Sequence, residues 1–179
     1  MKKYILLIVS FFLFSGLLFS QEITKENWLE DSYINEVREL YLYTENHVTN
    51  NDFTVFTKNI ISYDGYDLNT NCYIDENMVI RKIEYLETRD DGFLKISLYY
   101  DKDLALRFVF ISTKEKAYEA DNNEVILNDY RVYFDTKGEI IWKVLSRMNI
   151  YILFGNDVDI SKFEEIINKC PYEIFHDVN

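Results

Sequence analysis

Catalytic chemistry needs particular residue types at particular spacings. His47, near the end of the first helical pattern, and His176, in the tail, are far apart in the sequence, and neither has a Cys or Asp neighbour at ligand spacing. No motif therefore encodes a zinc site or a Ser-His-Asp triad. Gly-x-Ser-x-Gly, His-Glu-x-x-His, Walker and dinucleotide-binding patterns are absent. With 31 acidic residues, carboxylate pairs arise by chance, so a pair alone does not identify a hydrolase. Asp157, Asp159 and Ser161 follow the alternation that opens a calcium loop. Lys162, however, stands where that loop needs Gly, and Asn168 where it needs the bidentate Glu. The run reads as the start of a helix, and the sequence implies no catalytic residue, metal site or cofactor.

Binding chemistry has more to work with. Three triplets, Tyr73-Ile74-Asp75, Tyr99-Tyr100-Asp101 and Tyr133-Phe134-Asp135, are each followed by a short polar turn and an apolar strand carrying a base. This is one β-hairpin recipe used three times: Asp accepts hydrogen bonds from the turn backbone, and Asn77, Asp103 or Gly138 supplies the residue that tolerates positive φ. Ile74, Tyr100 and Phe134 would face a core. Tyr73, Tyr99 and Tyr133 would face the other way with Arg131 and Lys95, and Arg107 follows the second turn. This second face has two readings. Tyrosines line the wet side of many sheets through cross-strand packing, and exposed Tyr and Arg are also common recognition anchors.

The elements that must position these residues follow from periodicity. Trp28, Tyr33, Ile34, Val37, Leu40, Tyr41, Thr44 and Val48 recur at three and four, predicting an amphipathic helix from Thr24 to about Val48, capped by Thr24 or Asp31. After Asp52 the period becomes two. Seven strands are expected, over 54–62, 67–74, 78–86, 93–100, 104–111, 125–134 and 139–145. Asp64-Gly65, Asp91-Gly92 and Lys137-Gly138 mark hairpin turns, and Lys114 to Glu124 reads as the longest surface loop. Met148 to Phe154 is almost wholly apolar, which fits a buried strand or a buried helical turn equally. A last helix begins at Asp159 or Ser161, with Ser161 and Glu164 at capping-box spacing, and Pro171 ends it. The fold class is thus α+β: an antiparallel meander of about seven strands, packed on one face by an N-terminal and a C-terminal helix.

Lys2 and Lys3, the apolar run from Tyr4 and the small Ser20 form the three parts of a secretory signal peptide over residues 1–20, leaving one globular domain over residues 21–179. The apolar run is shorter than the roughly 20 residues a membrane-spanning helix needs, so no stable span is expected after cleavage. The formal charge is −12, and losing Lys2 and Lys3 makes it −14. Such acidity argues against a nucleic-acid partner. In a periplasmic or secreted setting Cys72 and Cys170 form the one available disulfide pairing; the alternative is two buried thiols.

The N-terminal helix, with Val37-Arg38-Glu39-Leu40-Tyr41, followed by repeated Tyr-x-Asp hairpins, resembles a loose group of small exported proteins of Gram-negative bacteria without an assigned activity. The leader ending Phe19-Ser20-Gln21 is similar to those of the Bacteroidetes. The resemblance implies an exported β-sheet domain and transfers no catalytic residue. The expectation is a non-enzymatic module that binds a protein or envelope ligand through its Tyr-rich face, as inhibitor and immunity proteins do. The alternatives are a carrier with an enclosed apolar pocket, or a hydrolase using His47 as base.

Overall fold

A computed structural model describes residues 22–61, 67–89, 92–116, 125–169 and 171. The signal segment 1–20, Asp64-Gly65, Asp90, Asp91, Cys170 and His176 lie outside the described residues.

Helix α1 spans Ser32–Thr49. Its start is fixed by Asp31, whose carboxylate accepts the backbone N–H groups of Tyr33 and Ile34 at 2.9 and 3.1 Å, amides that have no partner within the helix. The helix therefore begins at Asp31 and not at Thr24. Residues 24–30 form a separate turn closed by the Trp28 N–H on the Thr24 carbonyl, 3.0 Å. That turn sets Trp28 at the helix entrance.

Eight strands follow: β1 (Thr54–Ile61), β2 (Asp67–Ile74), β3 (Ile80–Arg89), β4 (Gly92–Tyr100), β5 (Leu106–Lys116), β6 (Val125–Phe134), β7 (Ile140–Arg147) and β8 (Ile150–Phe154). They form one antiparallel sheet whose spatial order is the order of the chain. The count exceeds expectation by one, because Met148 to Phe154 contains strand β8, whose residues Ile150 to Leu153 are exposed where a buried element was expected. Met148 (φ 48°) and Asn149 (φ 67°) make a two-residue turn, and Ile150 pairs with Arg147. Two consecutive positive φ angles match the twist of a tight hairpin. Strand β5 runs to Lys116, into the stretch read as surface loop.

The repeated hairpin is present three times. Asp75 Oδ1 accepts the N–H groups of Asn77 and Val79, both at 2.9 Å. Asp101 Oδ1 holds Asp103 and Ala105, and Asp135 Oδ1 holds Lys137 and Glu139. Each turn shifts the strand register by one residue, at Tyr73/Ile74, Tyr99/Tyr100 and Tyr133/Phe134. The left-handed residue is Met78 (φ 62°), Leu104 (φ 63°) or Gly138 (φ 83°). For the first two turns this is one place later than Asn77 and Asp103. The Asp carboxylate holds the second and fourth amides after it, and the third residue takes the positive φ of the bulge that returns the chain to the ladder.

Alternation divides the sheet into two cores. On one face Cys72, Ile96, Leu98, Tyr100, Val109, Val132 and Phe134 pack with Val158, Ile160, Phe163 and Ile167 from the C-terminal segment. On the other, Tyr99, Phe108, Tyr133 and Val144 pack with Trp28, Ile34 and Val37. The N-terminal helix and the C-terminal segment thus cover opposite faces, where a shared face was expected. A sheet with apolar side chains on both sides needs a cover on both. The C-terminal segment is also less regular than expected, with a 3-10 turn at Ser161–Phe163 and a single α turn, α2, at Glu164–Ile167. Ser161 makes no capping bond to α2; its own N–H is taken by Asp159 Oδ1 at 2.9 Å. No helix among the described residues is long and apolar enough to cross a membrane.

Candidate functional site

The face under α1 carries all five residues singled out as binding candidates, and α1 closes most of it. Glu45 of α1 meets the Lys82 ammonium at 2.7 Å and accepts the Tyr99 hydroxyl at 3.0 Å. Lys82 also reaches Glu84 at 3.1 Å, which in turn holds Lys95 at 2.8 Å. A second tie joins Arg107 to Glu36 of α1 at 3.0 Å and to Asp101 at 3.4 Å. The helix acids that face the sheet thus neutralise bases that the sheet buries, and this spares each ion an unpaired burial.

These ties correct the sequence reading. Tyr99, Tyr133 and Arg107 are buried, with 2–3% of their surface exposed, so they form the seam with α1 and not an open recognition face. Tyr73 is half-buried, its ring 5.4 Å from the Lys82 ammonium. Burial pushes the Tyr133 phenol up to about 12, against the pull of Arg131 and Arg38. Burial raises Tyr99 further, helped by the Glu45 charge. Both phenols are neutral at ordinary pH.

One part of the face stays open. Between α1 and the β5–β8 half of the sheet lies a cleft of about 260 Å³, lined by Trp28, Val37, Arg38, Tyr41, Phe110, Arg131, Tyr133 and Tyr151 among others. Phe110 and Arg131 are direct cross-strand partners. The Arg131 guanidinium lies 5.6 Å from the Phe110 ring centre and 5.4 Å from that of Tyr151, a cation–π arrangement on both rings. One of its N–H groups donates to Ser146 Oγ at 3.3 Å. Trp28 closes one wall, its ring centre 6.2 Å from Tyr133 and 6.0 Å from Tyr151. Of the sequence candidates, the cleft brings together Arg131 and Tyr133 only. Trp28, Arg38, Tyr41, Phe110 and Tyr151 complete it. Phe110 could have been found by extending the register back from the Asp101 turn.

Two other clefts are larger, about 330 and 390 Å³. In the first, Lys143 is committed to the Val158 carbonyl at 2.7 Å. The second is bordered by Lys169 and Pro171, which flank Cys170.

His47 and Cys72 lie away from the cleft that Arg131 lines. His47 Nδ1 lies 2.8 Å from the Tyr43 carbonyl oxygen, and its ring stacks on Phe53 at 5.3 Å. Cys72 is a buried free thiol, and burial pushes it up to about 11. Its proposed partner Cys170 lies outside the described residues, so no disulfide is seen among them. Compared with known proteins, the chain matches no family model, no curated protein and no solved structure.

Proposed function

We propose that the chain is an exported, extracytoplasmic binding module without catalytic activity of its own, and that it engages a protein partner at the cleft between α1 and β8. Export is supported by the Lys2-Lys3 start, the apolar run and Ser20. The observation that carries the binding reading is the pair Arg38 and Arg131. Both line one aromatic cleft in a chain with formal charge −12, and neither has a carboxylate within 4.0 Å among the described residues. Aromatic and arginine side chains are the residue types that dominate binding hot spots. The rim adds Leu29 and Tyr151, each 49% exposed. An apolar rim around cationic and aromatic groups suits an inhibitor- or immunity-type role for this chain better than storage of a small apolar ligand, which needs an enclosed pocket.

Site-specific photo-crosslinking in the native envelope tests the reading. A benzophenone side chain at Leu29 or Tyr151, both at the cleft, should trap a discrete partner, and the same group at Met78 or Lys102, at the turns of other hairpins, should not. Equal trapping from all four positions, or none from any, would overturn it.

A further inference from the structure

We infer that the cleft is a receptor for a carboxylate carried on an apolar group. This assignment rests on the cleft being the recognition surface proposed above, and it names the chemistry recognised there.

The arginines of the chain are used in different ways. Arg81, Arg89 and Arg107 each hold a carboxylate, at 2.7, 2.6 and 3.0 Å. Arg147, whose strand partner is Asn128, is held by that side-chain carbonyl at 3.1 Å. Arg131 is placed differently. Its planar group is set against Phe110 and Tyr151, and its only hydrogen-bond acceptor among the described residues is Ser146 Oγ. A guanidinium has five N–H donors in a fixed fork, so the aromatic contacts fix its plane while most of its donors stay free for a planar oxyanion. Arg38 faces the same cleft from α1, with a single 3.4 Å bond to Asn35. Arg38, Arg131 and Tyr133 line the one cleft together.

The walls select among oxyanions. Trp28, Val37, Tyr41, Phe108, Phe110, Tyr133 and Tyr151 offer apolar surface, and only two cations are present. A monoanion with an apolar body satisfies both features, whereas the field of a −12 chain opposes a phosphate dianion more strongly. At about 260 Å³ the cleft falls below the roughly 300–1,000 Å³ of pockets that enclose drug-sized ligands. It accommodates one aromatic or branched aliphatic group. Such a group and a carboxylate occur together in a small aryl-alkyl acid and in the C-terminal residue of a polypeptide.

Calorimetric titration of the purified protein separates these sources. The probes are 3-phenylpropanoate, 3-phenylpropanamide, and an acetylated pentapeptide ending in Phe with either a free or an amidated C-terminus. The acids should bind at least about tenfold more tightly than their amides. Tighter binding of the free-terminus peptide assigns the polypeptide source, and tighter binding of phenylpropanoate the small acid. Arg131→Gln should abolish the preference for the acid and Arg131→Lys should not restore it. Arg38→Gln, at an exposed position, should weaken the acids alone and serves if Arg131→Gln fails to fold. Equal binding of acids and amides, or no heat from any probe, would overturn the inference. Rim crosslinking that survives Arg131→Gln while no acid binds leaves the protein-binding reading intact; acid binding without rim crosslinking removes that reading and keeps the receptor.

Discussion

Lys82 and Glu45, separated by 37 residues in the chain, meet at 2.7 Å across the seam between sheet and helix. The Lys82 side chain is 4% exposed, and its charge is balanced by Glu45 and Glu84. Without Lys82, Glu45, whose side chain is 32% exposed, loses its cation, while Glu84 keeps Lys95. Lys82→Met should therefore lower the unfolding free energy by about 1–3 kcal/mol, read from urea melts. Lys82→Met combined with Glu45→Gln and Glu84→Gln should recover most of that loss. A triple variant as unstable as the single one would show that packing, not charge, holds the seam.

Acid should weaken the same seam. Burial raises the Glu84 carboxyl, but Lys82 and Lys95 outweigh it and hold the group below its ordinary value. Burial likewise opposes Asp75, outweighed by the Val79 amide, Arg81 and the Asn77 amide. A depressed folded pKa contributes stability that is complete above the unfolded value and lost as pH falls through the folded one. Urea midpoints should accordingly fall below about pH 4.5, and Glu84→Gln should flatten part of that slope. Lys82 has the opposite sign. Burial lowers it, but Glu45 and Glu84 win and leave it raised, so its contribution is complete below about 10.5 and lost above it. A flat profile from pH 7 to 3 would refute the acid assignment.

The Asp turns make a local prediction. Met78 is 72% exposed and holds φ 62°, a conformation that costs an L-residue roughly 1–2 kcal/mol relative to its right-handed alternative. Glycine relieves that strain but gives back about 0.5–1 kcal/mol through backbone entropy. Met78→Gly should raise stability by about 0.5 kcal/mol. Gly138→Ala, where an added Cβ meets nothing within 4 Å but φ is 83°, should lower it by about 1 kcal/mol. Thermal melts of both variants check the pair, and the same sign for both would refute the argument.

The Cys72 thiol, buried and raised to about 11, should resist alkylation. In a Cys170→Ser variant, native protein at pH 8 should react with a thiol reagent at least about tenfold more slowly than urea-unfolded protein, because only the thiolate attacks. Equal rates would mean that Cys72 is accessible.

Much of the fold was legible because its signals are local. The alternation in Leu94 to Tyr100 and the Asp75, Asp101 and Asp135 turns depend on residues within a few positions of one another. Strand β8 was ambiguous because Ile150-Tyr151-Ile152-Leu153-Phe154 contains no polar alternation. Tyr99 and Tyr133 were placed on the correct side of the sheet, since parity assigns a side. Parity does not say what covers that side. The cover is set by Glu36 and Glu45, which look like solvent-facing acids on an amphipathic helix and turn out to clasp Arg107 and Lys82. The cleft was half-legible for the same reason: Arg131 and Tyr133 carry a strand signal, whereas Arg38 and Tyr41 belong to it only once α1 is docked.

Sequential strand order has a consequence for how the molecule comes apart. Every strand pairs only with its neighbours in the chain, so the loops that close the sheet are short and entropically inexpensive. The helix is anchored across separations of 37, 54 and 71 residues, through Lys82, Tyr99 and Arg107. The meander can zip from any hairpin, while α1 settles only onto a sheet already assembled. Amide exchange should therefore show two grains, with the helix released in a cheaper opening than the strands beneath it, an opening that would bare the tyrosines it normally roofs.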